Sequence, residues 1–265
     1  MMKHLAHVAF GLSLLTGCLD RGGGADTDTA ESAVESAETA ESQGNVMMTA
    51  LDGADMAIGL QPATPEQVAQ RVAANLIARW NPRACATVVQ TGATISVTLT
   101  DCTGPRGLAH VSGHLTLVVS VSLTGVISVH GTSDDLQVNG ASMDLDATAV
   151  YSASGTSHSI AVTTQSSGTG ARGLPVEHDG NYTITWDTAT QCRSIAGEWS
   201  TEIGTATRST TANLSRCVDG CPTGSVVRHT RTGQTITVTF DGQGTAAWSS
   251  TSGKSGSVTL ACARS

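Results

Sequence analysis

Cysteines offer the widest choice of chemistry in this 265-residue chain, because a thiol can act as a nucleophile, a metal ligand, a lipid attachment point or half of a disulfide. Seven are present. Cys18 stands near the N-terminus, far from the next cysteine at position 85. The six that follow are an even number and can pair completely without it. Cys18 and the other six therefore call for separate explanations.

Cys18 ends a segment with the anatomy of an export signal. Lys3 and His4 form a short basic start, and the apolar run over residues 5–15 is too short to cross a bilayer as a helix. Residues 15–18, with the sequence LTGC, resemble the lipobox of bacterial lipoproteins, in which small residues precede the cysteine that becomes lipidated. The resemblance covers the signal alone, and no family resemblance extends into the rest of the chain.

This resemblance implies a signal peptide over residues 1–17 and a mature protein that begins at Cys18. Family members carry a diacylglycerol on the cysteine sulfur and usually a third acyl chain, such as palmitate, on its amine. Each buried methylene contributes roughly 0.8 kcal/mol, so two or three chains anchor a protein to a membrane without a transmembrane helix. Leu19 follows the cysteine, and the aspartate that often retains such proteins in the inner membrane comes one place later, at Asp20. We therefore expect the outer membrane, on its periplasmic face or at the cell surface; the alternative is an ordinary secretory signal with an incidental cysteine.

Residues 18–45 read as a disordered acidic tether. Seven acids face one base, Arg21, and Val34 is the one large apolar residue of the acidic repeat over residues 31–42. Such a segment cannot bury enough apolar surface to offset the entropy of ordering it. A solvated spacer is the simplest interpretation, and an arm that binds cations or a partner is the alternative.

The six remaining cysteines predict disulfides, because exported thiols oxidise. Spacing favours Cys85–Cys102, which would close a hairpin loop and contribute about 3 kcal/mol, together with two further bridges, Cys192–Cys217 and Cys221–Cys262. The alternative pairing joins Cys217 to Cys221 and Cys192 to Cys262. A zinc site at Cys217 and Cys221 is a weaker reading, because no histidine stands nearby at ligand spacing. We predict no metal site and no cofactor.

Other strings that resemble functional motifs lack their required context. Residues 168–173 match G-x-G-x-x-G, but Leu174 and Pro175 follow where a nucleotide-binding helix would start, so a loop is predicted. Lys254 opens a K-S-G string like that of serine β-lactamases, yet the upstream S-x-x-K nucleophile is missing. Neither string therefore indicates the site that its motif names.

Histidine, aspartate and tryptophan residues give three further candidates. His110 and His114 would share a strand face, but the sequence assigns them no carboxylate or third ligand. The aspartates at positions 134, 135, 144 and 146 lack the glycine-turn loop of known calcium motifs and are interpreted as turn residues and a polar strand face. Trp186, Trp199 and Trp248 are expected to be half-buried, whereas an exposed row of them would indicate sugar stacking.

Charge excludes one class of function. From residue 46 onward the chain has 15 acids and 12 bases, so most of the formal net charge of −8 belongs to the tether. Nucleic-acid binding has no electrostatic support here, because a basic patch is lacking.

One helix is predicted at about residues 65–80. Thr64 supplies the N-cap, Pro65 the first turn and Gln67 the capping box, and Asn81-Pro82 ends the run. Apolar residues recur at helical spacing, at Val68, Val72, Leu76, Ile77 and Trp80. A second, shorter helix is expected within residues 46–60.

Beyond Cys85 the spacing of apolar residues changes from the helical period to every second residue, which is the period of a β-strand. Apolar residues alternate with threonine, serine or aspartate over residues 94–100, 115–123, 143–151, 181–187, 235–240 and 258–262. Hairpin dipeptides stand between such runs, at residues 139–140, 179–180, 232–233, 241–242 and 252–253. This pattern predicts one mainly β domain over residues 46–265. It would have about ten antiparallel strands in a meander, forming a sandwich or a curled, barrel-like sheet with the helix packed on it.

The sequence leaves three functions open. The first is a non-enzymatic envelope lipoprotein with a structural or binding role, held to the membrane by its lipid, whose protein or glycan partner the sequence does not name. The second is a glycan-binding β-sandwich that uses exposed tryptophans. The third is a hydrolase whose distant histidine and aspartate residues converge in space.

Overall fold

A computed structural model describes residues 64–80, 82–103, 110–138, 141–170, 173–204, 206–217, 220–230, 233–260 and 262. The expected second helix within residues 46–60, the acidic tether and Cys18 lie outside these ranges. None of the helices in the described ranges is long and apolar enough to cross a membrane.

Helix α1 spans Pro65–Arg79 and confirms the helix predicted from the sequence. The Gln67 backbone N–H donates to Thr64 Oγ1 at 3.4 Å, and the Thr64 N–H donates to Gln67 Oε1 at 3.0 Å. These two bonds form the capping box and satisfy N–H groups that have no partner within the helix. Ala69 is buried beside the expected apolar residues, whereas Ile77 is 41 % exposed, so the buried face is rotated from the predicted one.

The rest of the described chain is almost entirely strand, after a short 3₁₀ helix at Arg83–Cys85. The strands are β1 (Ala86–Thr91), β2 (Thr94–Thr103), β3 (His110–Val121), β4 (Ile127–Val138), β5 (Ala141–Ser154), β6 (Ser157–Thr169), β7 (Pro175–Asp187), β8 (Cys192–Ile203), β9 (Ala206–Cys217), β10 (Thr223–Thr230), β11 (Thr235–Asp241), β12 (Thr245–Ser250) and β13 (Ser255–Thr259).

All thirteen strands belong to one antiparallel sheet whose spatial order is the order along the chain. The predicted antiparallel meander is thus confirmed, with one helix packed on it. Within the described residues the sheet is not closed into a barrel, and β1 and β13 form its edges. Every connection is a hairpin, so each strand pairs only with its chain neighbours.

The two faces of the sheet differ in exposure. Alternate residues of the strands are buried and form one contiguous apolar cluster with α1; we call this side the inner face and the opposite side the outer face. The largest fully buried side chains of the inner face are Tyr151 and Tyr182. Helix α1 covers the inner face near the first edge, where the Gln90 side chain donates to the Glu66 carbonyl at 3.4 Å. Threonine, serine and charged residues are concentrated on the outer face, as the period of two predicts, whereas Arg228 of β10 is buried.

Several strand limits differ from the predicted ones. Asp179-Gly180, predicted as a hairpin turn, lies inside β7 and pairs with both neighbouring strands. Leu123, predicted to extend a strand face, lies in the turn after β3 and is fully exposed. The predicted count of about ten strands was too low, because strands such as β9 carry few large apolar residues and give a weak alternation.

Three disulfides join the six cysteines of the domain. They are Cys85–Cys102, Cys192–Cys217 and Cys221–Cys262, the pairing predicted from spacing. Cys192 and Cys217 stand directly opposite each other in β8 and β9. The third bridge joins the segment before β10 to the segment after β13, and so encloses the last four strands. The alternative ring between Cys217 and Cys221 is not formed.

One glycine in the sheet provides a test of the fold. Gly224 in β10 has φ +113°, and a Cβ built on it would stand 2.0 Å from the Asn213 carbonyl oxygen of β9. We predict that Gly224→Ala destabilises the protein by about 2–3 kcal/mol, because backbone has to move.

The matched control is Gly253→Ala in the β12–β13 turn, where φ is +85° but nothing lies within 4 Å of the added Cβ. This control should lose only about 1 kcal/mol, from backbone strain alone. Chemical denaturation of both variants measures the difference, and equal losses would show that β9 and β10 approach less closely than described.

Candidate functional site

His110 and His114, the first pair of candidates, both have carboxylate partners, so the expectation that they lack them was wrong. His110 Nδ1 lies 2.8 Å from Asp101 Oδ1, and His114 Nδ1 lies 2.5 Å from Asp135 Oδ2. The hydrogen bond from His114 lowers the pKa of Asp135. The sequence concealed these partners because bulges in β2 and β4 bring Asp101 and Asp135 alongside the histidines of β3.

A third pair of the same kind stands nearby on the outer face. His130 Nε2 of β4 lies 2.9 Å from Asp146 Oδ1 of β5. In all three pairs both side chains are well exposed to water. A carboxylate can orient an imidazole in this way at a catalytic centre, but here each histidine has its own aspartate. Within the described ranges, no group of three or more His, Cys, Asp or Glu side chains is placed to hold a metal ion.

Carboxylates also surround a shallow depression on the outer face of β5–β7. Asp144 and Asp146 of β5 and Glu177 and Asp179 of β7 line it, with Gln165 of β6 between them. The register places Asp146, Gln165 and Asp179 in one row across the three strands. The predicted polar strand face is thus confirmed for Asp144 and Asp146, whereas Asp134 and Asp135 lie at an irregularity within β4 rather than in a turn.

The tryptophans of the sheet belong to the inner face. Trp199 and Trp248 are 3 % and 6 % exposed. Trp186 is partly buried and stacks on His158, with ring centroids 5.2 Å apart, and the His158 Nδ1 lies 2.8 Å from the Tyr151 hydroxyl. None of these three indoles is part of an exposed row, and Trp199 and Trp248 are more deeply buried than the sequence led us to expect.

The motif-like strings lie at strand ends and turns. Residues 168–169 end β6, and the Gly173 N–H donates to the Gly170 carbonyl in the turn that follows. Lys254 lies between β12 and β13, where its carbonyl accepts from the Ser250 N–H. The first string thus ends a strand and enters a turn, where a loop was predicted, and the second begins in a turn and enters β13.

A polar group that the sequence analysis missed lies on the inner face of β6–β8. Thr164 of β6 stands opposite Gly180 of β7, and Gly180 stands opposite Trp199 of β8. His178, two residues before Gly180, faces the same side, and its Nδ1 lies 3.0 Å from Thr201 Oγ1. Thr164 Oγ1 and His178 Nε2 are buried and have no hydrogen-bond partner among the described residues.

Burial governs the charge of this histidine. Desolvation lowers the pKa of His178, and the nearby Asp179 opposes that shift. His178 is therefore neutral at pH 7, with one ring nitrogen protonated and the other free to accept a hydrogen bond. Its neighbour Tyr182 is also buried, which raises the pKa of its hydroxyl.

Comparison with known proteins adds no relative from which a role could be transferred. No protein-family model matches the chain, and no curated protein or solved structure is significantly similar to it.

The low pKa of His178 predicts a pH dependence of stability. The unfolded chain takes up a proton near the ordinary pKa of 6.5, before the folded chain does, so acidification favours unfolding. We predict that the wild type loses stability relative to His178→Gln as the pH falls below about 6.5, by at most about 1.4 kcal/mol per pH unit. Denaturant titrations at several pH values measure this slope.

His229→Gln is the matched control, because the exposed His229 makes the same kind of contact, with its Nδ1 2.9 Å from Thr235 Oγ1. Parallel pH curves for the wild type and His178→Gln would contradict the prediction.

Proposed function

We propose that this chain is an exported lipoprotein, anchored through Cys18 to the bacterial outer membrane, whose β domain has a structural or binding role and no catalytic one. The observation that carries this proposal is the distribution of cysteines. Three bridges take the six cysteines of the domain and leave Cys18, the cysteine of the lipobox-like motif. Disulfides at this density are typical of proteins that fold in an oxidising compartment.

The arrangement of ionisable groups supports a binding or structural role over catalysis. A hydrolytic site needs a nucleophile or activated water, a base and an orienting group converging in one cleft. The three histidine–aspartate pairs are instead exposed and separately partnered on the outer face. The outer face of β5–β7 presents four carboxylates around a shallow depression, which suits recognition of a surface more than turnover of a substrate.

Burial of the tryptophans counts against the glycan-binding alternative. Stacking on sugar rings requires an exposed aromatic face, whereas Trp199 and Trp248 pack in the core and Trp186 is covered on one side by His158. The hydrolase alternative is left with the outer-face pairs as its candidate bases.

Lipidation is tested at Cys18. We predict that intact-mass analysis of the membrane fraction finds a mature protein that begins at Cys18 and carries acyl chains. Cys18→Ala should abolish acylation and processing at that site, because no sulfur is available to the lipid. Gly17→Ala is the control, since it keeps a small residue in the motif and should leave acylation intact. A soluble, unacylated protein that begins elsewhere would refute the anchor.

Absence of catalysis is tested separately with the purified full chain. We predict no turnover of ester, glycoside or peptide substrates above that of a blank, and no difference between the wild type and His114→Asn. His114 is the informative position because its ring is oriented by Asp135. Turnover that His114→Asn or Asp135→Asn lowers by 100-fold or more, the usual size of a general-base effect, would establish the hydrolase instead.

A further inference from the structure

Three buried polar atoms on the inner face of β6 and β7 belong to residues at neighbouring positions of these two strands. Thr164 Oγ1, His178 Nε2 and the Tyr182 hydroxyl have no hydrogen-bond partner among the described residues. They come from positions that adjoin Gly180: Thr164 is its cross-strand neighbour, and the other two lie two residues away along β7. Buried polar atoms in native proteins are almost always hydrogen-bonded, to protein or to ordered water.

Gly180 explains why two of these atoms converge. A Cβ built on it would lie 2.8 Å from Thr164 Oγ1 and 3.4 Å from both His178 Nε2 and Trp199 Cβ, so two of its three nearest atoms are polar. Both polar atoms therefore border the space that a side chain at position 180 would occupy. The backbone of Gly180 is extended and does not need glycine for its conformation. The glycine instead keeps this space free for polar atoms.

We propose that the inner face of β6 and β7 holds a site for one small uncharged hydrogen-bonding molecule, water in the isolated protein, between the Thr164 hydroxyl and His178 Nε2. The proposal does not depend on the anchor or on the role assigned to the domain.

The chemistry of the two atoms defines what the site accepts. Thr201 Oγ1 can accept from the Nδ1–H of neutral His178, which leaves Nε2 as an acceptor that needs a donor. The Thr164 hydroxyl both donates and accepts. A molecule that donates one hydrogen bond to His178 Nε2 and forms another with the Thr164 hydroxyl gives both atoms a hydrogen-bond partner, and water can do this. An ion is disfavoured at this buried position, because the carboxylates of β5 and β7, Asp179 included, project from the outer face and none of them contacts the two atoms.

Exposure along the strands provides a route to the site. Thr164 and Gly180 are buried, whereas Ser166, His178 and Thr201, one row nearer the strand ends, are only half-buried. These three form a polar row across β6–β8. The bound molecule can therefore exchange with solvent through a polar row instead of through the apolar core.

Replacement of the Thr164 hydroxyl distinguishes experimentally between an occupied site and an empty one. Thr164→Val keeps the shape of the side chain and removes its hydrogen bond. If a molecule is bound, the midpoint of thermal unfolding of the full chain falls by ~3 °C, and the ¹⁵N resonances of the His178 ring shift. Thr164→Ser retains the hydroxyl and should keep the wild-type ¹⁵N resonances. Thr163→Val, on the exposed outer face of the same strand, is the matched control and should change neither quantity.

An empty site predicts a different change in the midpoint of thermal unfolding. An unpartnered buried hydroxyl is unfavourable, so if the site is empty Thr164→Val raises the midpoint above that of Thr163→Val. That rise, or an unchanged His178 resonance, would overturn the proposal. A crystal structure of the full chain should show one density peak about 2.7–3.2 Å from both atoms; a direct Thr164–His178 hydrogen bond without the peak would also overturn it.

Discussion

The fold depends on keeping one face of a single sheet away from water over thirteen consecutive strands. Within the described residues, α1 is the one helix packed on that face, and it lies near the first edge. Away from that edge, the buried side chains of the strands form one apolar cluster with one another. Because the side-chain period of a strand is two, a slip of one residue in any pairing would turn buried side chains of that strand outward. Register is thus the quantity on which both the core and the outer-face pairs depend.

Features that depend on residues close together in the sequence, or on the number and spacing of the cysteines, could be predicted from the sequence. The capping box of Thr64 and Gln67 specified the helix start, and cysteine spacing specified the bridges. Features created by contacts between strands could not. Asp179-Gly180 has the composition of a turn, but pairing with β6 and β8 holds it in a strand. The carboxylate partners of His110 and His114 depend on bulges, which leave little trace in a single sequence. A weak trace of the inner polar group existed, because Thr164, Ser166 and His178 stand at positions where alternation calls for apolar residues.

Polar side chains find their hydrogen-bond partners in different ways on the two faces of the sheet. On the outer face, water solvates the histidine–aspartate pairs, which are worth little to stability when they are exposed. On the inner face, the hydroxyl of Thr164 and the ring of His178 are removed from water and must be satisfied locally. Similar residue types are therefore tolerant of substitution on one side and sensitive on the other. A mutational scan of polar residues would therefore distinguish the inner face from the outer face.

Strand order that follows chain order has a consequence for how the molecule is made. Every strand after β1 pairs with the one just before it, so the sheet can grow from its N-terminal end as successive strands become available, without waiting for a distant partner. Two of the bridges, Cys85–Cys102 and Cys192–Cys217, each lock a hairpin soon after it forms. Cys221 alone must wait for the last strand, because its partner is Cys262. Closure of that bond therefore reports that β13, the last strand of the sheet, has joined its neighbours.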